Sequence, residues 1–182
     1  RRVHGAELYG MDIRALRYCS AKAWEGELIP GKKILIASEQ GIGDQILHGQ
    51  MLKDLIDAEM EIHMTCTPKI VDLMARSIPQ AKFYPDDKDI DQKVLDSMDY
   101  KAELLDMGKY LRSDIQQFKN KFYFLTPRQD LVSQFREKYL QFGSKLKVGI
   151  SWKSVSKSVG SIKSTDLSQW RDILSVDGVQ FI

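Results

Sequence analysis

Short runs of consecutive apolar residues alternate along this chain with stretches in which apolar positions recur every three or four residues. Residues 32–38 (KKILIAS) carry four apolar residues in a row, Ile34 to Ala37, the pattern of a central parallel strand buried on both faces. After the turn EQGIGD (residues 39–44), Ile46, Leu47, Met51, Leu52, Leu55 and Ile56 keep a helical period. The theme then repeats. EIHMTC (residues 61–66) reads as a strand, Thr67 as an N-cap and Pro68 as the first helical residue, with Ile70, Val71, Leu73 and Met74 as an apolar face. AKFYP (81–85) and YKAELLDM (100–107) hold a third and a fourth strand.

The rest of the chain follows the same grammar less regularly. Residues 7–23 read as loosely helical, and 24–31 as a turn-rich lead with Pro30 and Gly31. Pro127 opens a long amphipathic helix with Leu131, Phe135, Tyr139 and Leu140 inward, closed near Gly143. KVGISW (147–152) is again a strand. A polar loop leads to a helix capped by Ser164 or Thr165, and VQFI forms a last strand. Strands alternating with helices predict βαβ units and a Rossmann-like parallel α/β sheet. The expected division is a lead over 1–30, a Rossmann-like domain over 31–146, and the start of a second one over 147–182.

Composition narrows the function. Hydrophobic residues make up 43% of the 182 positions, enough for a packed core. The 27 basic and 25 acidic side chains nearly cancel, which removes any electrostatic reason to expect nucleic acid as a partner. Cys19 and Cys66 form no CxxC pair and do not cluster with His4, His48 or His63, so they read as reduced, buried thiols rather than zinc ligands. No apolar run approaches the ~20 residues that span a bilayer, and the first residues carry no signal-peptide pattern. Both point to the cytoplasm.

The chemistry concentrates in EQGIGD. Ligands of open α/β sheets bind at the carboxyl ends of strands, where this turn falls. Gly41 and Gly43 allow a sharp turn and close approach of a ligand to the backbone. Asp44 falls at or just before the first helical turn, as an N-cap whose second oxygen can face a pocket. Glu39 and Gln40 complete the loop. The phosphate loop GxxxxGK[ST] is absent, and GxGxxG is only half met, because Ile46 stands in the third glycine's place. His48, four residues after Asp44, reads as a partly buried helix histidine on the same face, within reach of Asp44. The overlapping DxD triplets of DDKDIDQK, at Asp87, Asp89 and Asp91, sit in a charged run and read as a solvated loop.

Trp24-Glu25-Gly26-Glu27-Leu28, Pro30-Gly31-Lys32 and ILIASEQGIGD, followed later by KVGISWKS, Lys163, DLSQWRDIL and GVQFI, together resemble bacterial glycosyltransferase family 9-like proteins. These are often found with tetratricopeptide repeats and are related to the lipopolysaccharide heptosyltransferases. The resemblance covers residues 24–182, with the middle matching only in pattern. It implies a GT-B architecture of two Rossmann-like domains facing a cleft. It further implies an acceptor-side loop at Glu39, Gln40, Gly41 and Gly43, with Asp44 as general base. On the donor side it implies phosphate contact by Lys163, with Trp152 and Lys153 at the end of the second domain's first strand. The expected reaction moves a sugar from a nucleotide-sugar to a saccharide or protein hydroxyl, with no metal and no cofactor. Gln50 and Met51 replace an Arg-Tyr pair common in relatives, a departure at the acceptor side. The alternative reading is a non-catalytic binding or scaffold module that keeps the Rossmann-like shell.

Overall fold

The computed structural model describes residues 13–38, 41–118, 124–155 and 160–182. The chain forms two compact units, Arg1–Pro127 and Arg128–Ile182.

The first unit is built on a five-stranded, all-parallel sheet. Its strands are β1 (Lys22–Ala23), β2 (Lys33–Ala37), β3 (Glu61–Cys66), β4 (Ala81–Pro85) and β5 (Tyr100–Glu103), in the order β1-β5-β2-β3-β4. Ile34 lies opposite Ile62 on one side and Tyr100 on the other, and Ile62 lies opposite Ala81. The helices are α1 (Arg14–Tyr18), α2 (Ile42–His48), α3 (Leu52–Asp57), α4 (Val71–Ser77), α5 (Gln92–Asp96) and α6 (Gly108–Leu111). A 3-10 turn at Gly49–Met51 carries α2 directly into α3.

The unbroken apolar run of β2 is explained by cover on both faces. Ile34 and Ile36 join Ile62 and Met64 beneath α2, α3, α4 and α6, packed with Leu52, Leu55, Met74, Met107 and Leu111. Leu35 points the other way, into a smaller cluster with Cys19, Leu95 and Met98 that α1 and α5 close. This is a Rossmann-like, doubly wound sheet. All buried apolar residues among those described belong to this unit.

Two local expectations change in this unit. Lys22–Ala23 is a strand paired with β5 at Tyr100 and Lys101, not the end of a helix. The Lys101 ammonium fixes the lead there by donating to the carbonyls of Leu16 and Cys19 at 3.1 and 2.6 Å. Thr67 makes no capping bond; its hydroxyl is taken up by Gln45. The smaller cluster face also carries a polar set: the buried His63 ring lies between Tyr84 Oη (2.9 Å from Nδ1) and Glu61 Oε1 (3.1 Å from Nε2).

The second unit contains α7 (Gln129–Leu140), β6 (Leu146–Val148), a 3-10 turn at Leu167–Trp170, α8 (Arg171–Leu174) and β7 (Val179–Phe181), with β6 and β7 paired in parallel. The expected inward face of α7 is not buried: Leu131, Phe135 and Leu140 are exposed. A two-stranded ladder and short helices give that stripe no layer to pack against within the unit. Phe135 and Tyr139 instead stack on each other with centroids 5.8 Å apart. The cap of the following helix is Asp166, in a reciprocal capping box with Gln169, rather than Ser164 or Thr165. The Ser164 hydroxyl donates to the Gly160 carbonyl at 2.6 Å and accepts the Ser154 N–H at 2.9 Å.

Candidate functional site

The strand order locates the site. From β2 the chain winds outward through β3 and β4, then returns to place β5 on the opposite flank of β2. The winding thus reverses at the β2–β5 pair, and in sheets of this kind ligands bind outside the carboxyl ends of the strands at such a reversal. β2 ends at Ala37, opposite Glu103, the last residue of β5. The turn carrying Gly41, Gly43 and Asp44 therefore leaves from the strand at which the winding reverses.

Glu39 and Gln40 lie outside the described residues. Gly41 precedes α2 with φ −63° and ψ 168°, an extended conformation open to any residue. Gly43 lies within α2, and a Cβ added to it would meet nothing within 4 Å. Neither glycine is needed for left-handed backbone. Among the described residues Gly43 leaves room above the first turn of the helix, whereas a Cβ on Gly41 would lie 3.5 Å from Asp44 Oδ2.

Asp44 is the third residue of α2, not its cap; Gly41 holds the cap position and no side chain bonds to the helix start. The carboxylate is exposed, and among the described residues it has no hydrogen-bond partner. His48 is half-buried on the same helix and makes no bond to Asp44. Of the departing pair, Gln50 is half-buried and Met51 is a core residue.

The loop rests on a polar chain that the sequence did not reveal. Gln45, 1% exposed, donates from Nε2 to Thr67 Oγ1 at 2.9 Å and accepts the Thr67 N–H at 3.0 Å. Thr67 Oγ1 in turn donates to Asp86 Oδ2 at 3.5 Å. Burial and the neighbouring Asp87 raise the Asp86 carboxyl above its ordinary pKa. Cys66 ends β3 beside this chain. Burial, helped by Asp86, pushes its thiol up to about 12, which removes it as a nucleophile at neutral pH. Ser38, just past β2, has the buried hydroxyl that finds no partner among the described residues.

The DDKDID carboxylates are divided among separate tasks. Asp91 caps α5 by accepting the Lys93 N–H at 2.8 Å, and Asp89 faces Arg14 at 3.4 Å.

In the second unit, Trp152, Lys153 and Lys163 are exposed. The Trp152 carbonyl accepts the Thr165 N–H at 2.9 Å, and the Thr165 hydroxyl accepts from Trp170 Nε1 at 2.7 Å. This pins the two ends of the polar loop together beyond β6.

The chain is similar to protein FlbA of Caulobacter vibrioides, at 24% identity over 173 residues, which covers 87% of this chain. The chain spans 29% of that relative's length. No protein-family model matches the chain, and no solved structure matches it. Among the described residues no helix is long and apolar enough to cross a membrane.

Proposed function

We propose that this chain is the acceptor side, and the beginning of the donor side, of a GT-B glycosyltransferase of the family 9-like kind. The observation that carries the reading is Asp44. It is an exposed carboxylate, unbonded among the described residues, in the first turn of the helix that follows β2, the strand at which the sheet reverses. In the proposed reaction an acceptor hydroxyl attacks the anomeric carbon of a nucleotide-sugar. Asp44 takes the hydroxyl proton as the new C–O bond forms. The bond from the anomeric carbon to the diphosphate oxygen breaks, and the nucleoside diphosphate leaves with the electron pair. Lys153 and Lys163 supply positive charge for that leaving group, in the manner of other phosphate clamps, and Trp152 contributes to the nucleotide contact. The donor is a nucleotide-sugar and the acceptor a saccharide or protein hydroxyl.

The rival reading, a non-catalytic binding module, is favoured by one feature: nothing among the described residues holds the Asp44 carboxylate in a fixed orientation. One experiment separates the two. Release of nucleoside diphosphate from ADP-, UDP- and GDP-sugars is measured with the full-length protein and its Asp44→Asn variant. A transferase loses ~10²–10⁴-fold in turnover, the usual worth of a positioned base. Full activity in a folded Asp44→Asn protein overturns the assignment.

A further inference from the structure

The Trp24–Glu27 segment, met in the sequence only as part of a resemblance, has a definite structural task. Trp24 Nε1 donates to the Glu27 carbonyl at 2.6 Å, and Glu27 Oε2 accepts the Glu25 N–H at 2.7 Å. The turn closes on itself through Gly26, at φ +102°. It is pressed against Tyr110: a Cβ on Gly26 would lie 3.1 Å from Tyr110 Cβ and Cδ1. The Trp24 ring meets the Tyr110 ring edge-on with centroids 5.4 Å apart. Tyr110 is thus clamped from two sides by a turn that follows the short strand β1.

That clamp forms one wall of a cavity of 560 Å³ at the carboxyl ends of β1 and β5, within the ~300–1,000 Å³ typical of small-molecule sites. Glu103 and Asp106 line it on the β5 side, and Arg17 and Lys109 contribute cations. Glu103 is nine-tenths buried, and it stands opposite Ala37, the end of the strand that leads to the Asp44 turn. The Lys109 ammonium stands 4.9 Å from the Tyr110 ring centroid, so one cavity is lined by an aromatic ring, two carboxylates and cations, which brings an apolar surface and strong acceptors together. That combination suits a ring with one apolar face and a rim of hydroxyl groups.

We infer that this cavity binds a saccharide, with a sugar face against Tyr110 and its hydroxyls donating to Glu103 and Asp106. The inference rests on the glycosyltransferase reading to the extent that this sugar is the acceptor. The binding itself does not depend on turnover.

The test is ligand-observed NMR on the full chain, with methyl glycosides of neutral hexoses, N-acetylhexosamines and acidic sugars as probes. At least one class gives saturable binding. Asp106→Asn and Tyr110→Ala each weaken it about 10-fold or more, the loss expected for one hydrogen bond to a charged group or one packed ring, while the distant Lys69→Ala leaves it unchanged. Circular dichroism of each variant confirms that the fold persists, and Tyr110→Phe, which keeps the ring, retains binding. No saturable binding by any probe overturns the proposal. So does binding that Asp106→Asn and Tyr110→Ala leave intact. Saccharide binding of this kind without any sugar transfer by the full-length protein sinks the transferase reading and leaves the cavity assignment standing. Turnover that requires Asp44 but ignores Asp106 and Tyr110 supports the transferase reading and shows that the sugar in this cavity is not its acceptor.

Discussion

Gln45 and Thr67 hold each other through two hydrogen bonds, one in each direction, at 2.9 and 3.0 Å. The pair ties the first helix after β2 to the segment after β3 through a side-chain amide bonded to a backbone N–H and a hydroxyl. Gln45→Leu fits the apolar surroundings but strands the Thr67 N–H. The expected cost is about 1–3 kcal/mol of unfolding free energy, the penalty of an unsatisfied polar group, seen as a lower urea midpoint with an unchanged slope. A midpoint equal to the wild type would mean that the pair contributes nothing to the fold.

The His63 set predicts a pH dependence with a definite sign. Burial lowers the His63 pKa below 6.5 and outweighs the opposing pull of Glu61. The Glu61 carboxylate can only accept, so Nε2 carries the proton and Nδ1 accepts from the Tyr84 hydroxyl. The folded state then binds fewer protons than the unfolded state below pH 6.5. The stability from neutral His63 is present above that value and is lost as the pH falls toward its folded pKa. Glu61, held down to about 2 chiefly by Lys82 and then by His63, adds stability above about 4.5 that fades as the pH falls toward 2. NMR titration of the His63 ring should give a pKa below 6.5, and a value above it would reverse the first assignment.

Much of this architecture was legible in the chain. The four apolar residues of Ile34 to Ala37 announced a strand covered on both faces, and the structure places Leu35 in one cluster and Ile34 and Ile36 in the other. The position of Asp44 beside a strand end was legible too, because a glycine-rich turn between an apolar run and a helical period allows little else. The capping role expected of Asp44 does not hold. The helix begins two residues earlier, and only backbone geometry could show that. The two-residue strand β1 was hidden because its apolar signal is a single alanine; Lys101 and Tyr100 on the partner strand provide its neighbours. The Gln45–Thr67 pair was equally hidden, since the residues lie 22 positions apart. The outward face of α7 was misread because periodicity reports an apolar stripe and says nothing of what lies against it.

The transferase reading expects no metal, and the acidic run is put to other uses. Asp91 is committed to a helix cap and Asp89 to Arg14. Turnover of the full-length protein is expected to be the same in EDTA as in buffer alone. Loss of turnover that manganese or magnesium restores would move the chemistry to Asp87, Asp89 and Asp91.

Gly26 and Gly43 give opposite expectations for the same change. Gly26→Ala places a methyl group on a backbone at φ +102° and 3.1 Å from Tyr110. Such strain costs of order 1–3 kcal/mol, and it also disturbs the Tyr110 wall.

Gly43→Ala adds its methyl group to helical backbone in open space. Alanine is preferred over glycine in a helix by up to about 1 kcal/mol, so the variant should be as stable as the parent or slightly more so. The same methyl group would occupy the room beside Asp44 that the transferase reading gives to the acceptor. Turnover should therefore fall while thermal stability holds or rises, with the loss appearing mainly in KM for the acceptor. A structural glycine would behave otherwise: stability would fall and activity would follow it. A stable Gly43→Ala protein with unchanged kinetics would show that the space above the first turn of α2 is not where the acceptor sits.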